Sequence, residues 1–197
     1  GSGFDDDIET LTTQTDGKIL MGGDFTSFNG NAKNNIIRLN ADGSLDNSFN
    51  IGTGFNNRVY SIGLQTDGKI VVVGDFTNYN GNTKNHIIRL NTDGSLDNTF
   101  NIGFGFNNSG EVLKIQSDGK IVVAGSFVSY NGTSVNELVR LNSDGSLDTS
   151  FNISINLVDA GVFSLESQSD SKIIVGGDFK QFDGINVNSI VRLNTNG

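Results

Sequence analysis

The chain has no cysteine, no proline and a single histidine, and no apolar run long enough to cross a bilayer. Without cysteine there is neither a disulfide nor a thiolate metal site. One histidine, His86, without a cysteine does not assemble a typical zinc centre, and with no nucleophile-elbow sequence in the chain a Ser-His-Asp triad is not expected either. The lack of proline excludes a Pro-rich linker. A spanning helix needs about 18 or more consecutive apolar residues, so membrane insertion by a helix is not expected. Bases are also scarce: 13 Lys and Arg stand against 22 Asp and Glu, for a net charge of −9. A nucleic-acid partner needs a basic face to neutralise phosphates, and an anionic membrane surface needs the same, so neither is expected. The opening Gly1-Ser2-Gly3-Phe4 shows no signal-peptide pattern and fits a mature form or a fragment.

What the chain has in quantity is repetition. Asp16-Gly17-Lys18 returns as Asp67-Gly68-Lys69, Asp118-Gly119-Lys120 and Asp170-Ser171-Lys172, at steps of 51, 51 and 52 residues. Gly23-Asp24-Phe25 returns as Gly74-Asp75-Phe76, Gly125-Ser126-Phe127 and Gly177-Asp178-Phe179. Arg38-Leu39-Asn40 returns from Arg89, Arg140 and Arg192, and Asp42-Gly43-Ser44-Leu45-Asp46 returns from Asp93 and Asp144. The fourth copy stops at Asn196-Gly197, inside that same turn.

Each copy reads as strands. In the second, Val59 to Gln65 is a first strand, and Asp67-Gly68 a tight turn that tolerates positive φ. Lys69 to Tyr79 is a long second strand, His86 to Leu90 a third and Leu96 to Asn101 a short fourth. Ile70-Val71-Val72-Val73 is apolar at every position, whereas a sheet with one wet face alternates. Such a sheet is buried on both faces, and stacked four-stranded blades of a β-propeller bury it so. The fold class expected is all-β, a propeller of four blades of about 51 residues over 4–54, 55–105, 106–156 and 157–197, the last without its final strand. A β-solenoid is the competing fold, with coils usually about half this length.

The set Asp-Gly-Ser-Leu-Asp, Ile-Gly-x-Gly-Phe, Asp-Gly-Lys-Ile and Gly-Asp-Phe, recurring over nearly the whole chain, resembles the bacterial delta-60 repeats. That resemblance implies a β-propeller of undefined function, found in large secreted or surface proteins, and it carries no catalytic residues. Ser126 in place of Asp and Ser171 in place of Gly depart from the pattern.

Gly1 to Asp6 matches Gly52 to Asn57, so the chain starts after one fourth strand and stops before another. Either this is a piece of a longer propeller, or four blades close with one three-stranded blade; an open stack of four exposes two apolar faces and unpaired edges. The expected partners are therefore another copy of the chain, the remainder of a longer parent, or another protein.

Several groups invite a functional reading. Asp24, Asp75 and Asp178, with Arg38, Arg89, Arg140 and Arg192, form catalytic acids or clamps on one reading. On the other they are Asp–Arg or Asp–backbone bonds that fix each blade's strands; recurrence favours this structural role, and copy three, which keeps Arg140 without the Asp, does not require a strict Asp–Arg pair. Asn91-x-Asp93-Gly94-x-x-Asp97 has the oxygen spacing of a calcium loop, but lacks its distant Glu, and an Asx turn explains it equally. Asp5-Asp6-Asp7 reads as a solvated acidic terminus rather than a cation site. No metal and no cofactor are expected. Phe28, Tyr79, Tyr130 and Phe182 stand beside the Asn-Gly or Asp-Gly turns and form either a sugar-stacking platform or inter-blade packing. The copies differ most just after those turns, so Lys33, Asn34, Lys84, Asn85, His86, Asn136, Glu137 and Asn188 are the candidate binding loops. The function expected is a non-enzymatic, extracellular or cell-surface propeller for protein interaction, adhesion or scaffolding. The alternative is a lectin-like propeller that binds a glycan.

Overall fold

The computed structural model describes residues 1–151, 153, 161–182 and 185–197. These fall into two compact units, Gly1–Phe100 and Asn101–Gly197, each of two repeats. Every described element is a strand or a turn.

In the first unit the strands Ile8–Thr13, Ile19–Gly23 and Ile36–Leu39 make an antiparallel three-stranded sheet, with the second strand in the middle. Val59–Leu64, Ile70–Gly74 and Ile87–Leu90 repeat it. The second unit holds the same sheet twice. Gly110–Ile115, Ile121–Gly125 and Leu138–Leu141 form one copy, and Gly161–Ser167, Ile173–Asp178 and Ile190–Leu193 the other. The four sheets are blades 1 to 4.

The Asp-Gly turns do what their residues favour. Gly17, Gly68 and Gly119 take φ of 83°, 82° and 84°, a region that costs glycine little. The preceding Asp16, Asp67 and Asp118 accept the Lys amide two residues on. The glycine of the Gly-Asp-Phe motif has a different cause. A Cβ on Gly23, Gly74, Gly125 or Gly177 would stand 2.0–2.2 Å from a carbonyl oxygen of the adjacent strand, beside a bulge present in all four blades.

The long second strand expected from Lys69 to Tyr79 breaks at Asp75. Its outer part, Asn78–Tyr79, folds into a separate hairpin with Asn82–Thr83, and each blade has this hairpin. The expected fourth strand is present in place and direction but narrows to single bridges, Leu39 to Leu45, Leu90 to Leu96 and Leu141 to Leu147. The reason is the next residue. The Asp46 amide donates to the Arg38 carbonyl, then the Asp46 carboxylate turns onto Ser48 and the chain leaves the sheet.

Burial on both faces holds: Ile70, Val71, Val72 and Val73 are all 0% exposed. Within the first unit the far face of blade 1, with Leu20 and Ile36, is covered by the near face of blade 2, with Phe55, Val59, Ile62 and Val72. Within the second unit Val122, Ala124 and Leu138 of blade 3 are covered by Val162, Leu165, Ile173 and Val175 of blade 4. Burying each such side chain contributes about 1.5–3 kcal/mol, so these seams are where the apolar free energy lies.

Candidate functional site: the arginine network and the hairpin loops

Arg38, Arg89 and Arg140 project from third strands and are buried. Their Nε atoms donate to Oδ2 of Asp46, Asp97 and Asp148 at 2.7 Å in each case. The same oxygen takes the Nζ of Lys18, Lys69 or Lys120 at 2.8–3.0 Å. Oδ1 accepts the amide and hydroxyl of Ser48, Thr99 or Ser150. Each guanidinium lies over a ring, Phe49, Phe100 or Phe151, at 4.4–4.6 Å. Burial pushes these carboxyls upward, but the hydrogen bonds from Lys, Arg and Ser or Thr outweigh it and hold all three well below the usual carboxylate range. They stay ionised and acceptor-only at neutral pH, a state suited to bracing rather than to proton transfer.

The guanidinium also crosses the seam. Arg38 Nη1 donates to the Thr92 carbonyl of blade 2, and Arg140 Nη1 to the Thr195 carbonyl of blade 4 at 2.7 Å.

This geometry revises the sequence reading. The acid that pairs with the recurring arginine is the last residue of Asp-Gly-Ser-Leu-Asp, not Asp24, Asp75 or Asp178. Asp24 instead takes Arg58 of blade 2, whose pKa it raises. The Asp75 amide donates to the Arg58 carbonyl, and Asp178 lies at the end of its strand, opposite Gly161. The signal was present in the string itself: both of its aspartates recur, and only the first belongs to the turn. Asp42, Asp93 and Asp144 make that turn by accepting the serine two residues on, which is the Asx geometry rather than a cation loop. Asp5 accepts Thr26 and Ser27, and the Thr26 hydroxyl chiefly lowers its pKa to about 2. Among the described residues no cluster of three or more metal-ligating side chains occurs.

The aromatic platform is a second correction. Phe28, Tyr79, Tyr130 and Phe182 are buried, Tyr79 to 1% exposure, so their faces are closed to a sugar ring. Phe4, Phe55 and Phe106 pack on the first three of them at 4.6–4.8 Å between centroids. The Tyr79 and Tyr130 hydroxyls donate to the Gly94 and Gly145 carbonyls, and burial drives both phenol pKa values up. Burial of the four rings, and the hydroxyl bonds of the two tyrosines to glycines of the Asp-Gly-Ser-Leu-Asp turns, make them packing groups.

Four segments of the chain, residues 14–49, 65–100, 116–151 and 168–197, match the family described as a domain of unknown function, DUF5122, β-propeller. The chain belongs to this family. Two solved structures share its fold. One is the extracellular domain of a B. thetaiotaomicron protein described as a putative one-component system, with 18% identity and a TM-score of 0.54 over 90% of this chain. The other is the extracellular domain of a B. thetaiotaomicron protein described as a putative hybrid two-component system, with 18% identity and a TM-score of 0.50 over 94%. The chain spans 20% of the length of each. No curated protein matches it.

Each matched DUF5122 segment starts at the glutamine before the Asp-Gly turn and encloses the arginine, and in the first three also its aspartate. The candidate loops sit within these segments but divide by role. Asn34 Nδ2 donates across the seam to the Thr53 carbonyl at 2.7 Å, and Asn136 Nδ2 to the Ile153 carbonyl at 2.6 Å. These asparagines are tethers, and their presence in all four copies, at 34, 85, 136 and 188, was the sign. His86 holds φ of 64° and places Nδ1 3.1 Å from the Gly74 carbonyl. Lys33, Lys84, Asn85 and Glu137 are half-buried, and Asn188 is exposed. The fully exposed, divergent positions are the returning strands of the hairpins: Asn31–Ala32, Asn82–Thr83, Thr133–Ser134 and Ile185–Asn186.

Proposed function

We propose that this DUF5122 chain, with a repeat of the delta-60 type, is a non-enzymatic propeller module that acts outside the cell by holding a protein partner on its hairpin loops. The observation that carries the reading is a division of labour. The recurring arginine and its aspartate are consumed in bracing blades 1 to 3, while the two-residue hairpin strands are exposed in all four blades and differ in each. Rigid sheets presenting variable loops are a common way to build a binding face. The extracellular nature of the two structural neighbours supports the location. A glycan-binding role draws no support from the buried rings.

Proximity labelling with the chain in its native host tests location and mode together. Label on extracellular proteins is expected, and its loss when Asn82-Thr83 and Thr133-Ser134 are replaced by Gly-Ser. Label confined to cytoplasmic proteins, or label indifferent to the hairpin replacements, would overturn the proposal.

A further inference from the structure

The two seams are built alike. The far face of one blade receives the near face of the next, an arginine and an asparagine reach across, and the fit is close. A Cβ on Gly22 of blade 1 would lie 2.4 Å from Val59 Cγ1 of blade 2. Two half-seams of the same design are uncovered. On the far face of blade 4, Ile190 is 64% exposed where its counterpart Leu138 is 2%. Arg192 and Asn188 on that face are exposed too, and a Cβ on Gly176 would meet nothing nearer than 3.8 Å. On the near face of blade 1, Ile8 and Leu11 are 41% and 63% exposed where Val59 and Ile62 are 0% and 7%.

We propose that a second copy of this chain lays the near face of its blade 1 on the far face of blade 4, head to tail. The match of the two surfaces identifies the occupant. One is the receiving half, and the other the covering half, of a seam the chain forms in both units, each seam crossed by an arginine and an asparagine. In the pair, Ile8 and Leu11 of the second copy lie over Gly176 and Ile190 as Val59 and Ile62 lie over Gly22 and Ile36. Arg192 donates to the Ala41 carbonyl of the second copy, the equivalent of Arg38 on Thr92. Asn188 donates to its Ser2 carbonyl, the equivalent of Asn34 on Thr53. The contact is heterologous, since different patches meet, and the pair keeps one further half-seam at either end. It leaves the hairpin loops free and stands apart from the partner proposed above.

Light scattering on the 197-residue chain, with the variants Leu11→Glu and Ile190→Glu, tests it. The wild type is expected at twice the 21.0 kDa chain mass or a higher multiple. Each variant alone is expected at the single-chain mass with its β-sheet circular dichroism retained, because both side chains are exposed in one copy. An equimolar mixture of the two is expected to recover a dimer, because one intact pair of faces remains. A monomeric wild type, loss of association in Ile190→Glu but not Leu11→Glu, or a mixture that stays monomeric would each overturn the proposal.

Discussion

Blades 3 and 4 carry the same arginine on the same strand, yet Arg140 is 5% exposed and Arg192 lies open. Arg140 has Asp148 beside it, Phe151 beneath it and the Thr195 carbonyl across the seam. The strand pairing around the two is otherwise the same: Arg140 lies opposite Val122 and Arg192 opposite Ile174. A blade therefore forms its own sheet but does not bury its own arginine. Two later parts of the chain bury it, first the segment after the blade's single bridge and then the neighbouring blade.

The difference is largest at the arginine itself. In the single-chain Leu11→Glu background, Arg140→Ala is expected to cost roughly 3–5 kcal/mol by taking from buried Asp148 one of its two cationic partners, whereas Arg192→Ala is expected within about 0.5 kcal/mol of that background. Urea unfolding of both variants measures the gap, and equal losses would show that the seam is not what matters. The acid limb carries the same difference. Because folding lowers the Asp148 pKa, its contribution is complete above the unfolded value of about 3.9 and fades as pH falls toward the depressed folded one. The fall of melting temperature below about pH 4, where the wild type loses the Asp148 contribution, is thus expected to be shallower in Asp148→Asn, with Asp46 and Asp97 still titrating.

The two equivalent glycines carry the contrast to a smaller scale. In the same single-chain background Gly22→Ala pushes a methyl into Val59 and is expected to cost about 1–3 kcal/mol as overpacking, while Gly176→Ala is expected to be neutral or slightly stabilising. Melting temperatures of the two variants decide it. The smallest effect runs the other way. Ser171 sits at φ of 62° where the other three turns have glycine, so Ser171→Gly is expected to raise stability by about 1 kcal/mol. The same glycine is already present at the equivalent position of blade 3, which serves as the internal standard.

The period, the strands and the burial of both sheet faces were legible in the sequence, because Asp-Gly turns and a run such as Ile70 to Val73 each have one physical reading. The sequence also marked both aspartates of Asp-Gly-Ser-Leu-Asp, but not which faced the arginine. Asp24 and Asp46 lie at 14 and 8 residues from Arg38 along the chain, and spacing alone does not rank them when a bridge of one residue pair redirects the backbone. The aromatic rings were misplaced for a related reason. A hairpin of two-residue strands has no alternation long enough to tell its inner side from its outer one. The loop asparagines were read as variable because they stand among variable neighbours, although Asn34, Asn85, Asn136 and Asn188 are the constant letters of those loops.

The bond from Arg38 to the Thr92 carbonyl has a thermodynamic consequence. It couples the two repeats of a unit, so part of the unit's free energy belongs to the junction rather than to either repeat. A repeat cut out alone keeps its sheet, its turns and its internal ion pair, and loses every junction. Within the first unit Ile8–Thr13 is largely exposed and Ile70–Gly74 is buried throughout, so amide protons of Ile8–Thr13 exchange sooner than those of Ile70–Gly74. Any event that adds a junction then raises the stability of both repeats that it joins.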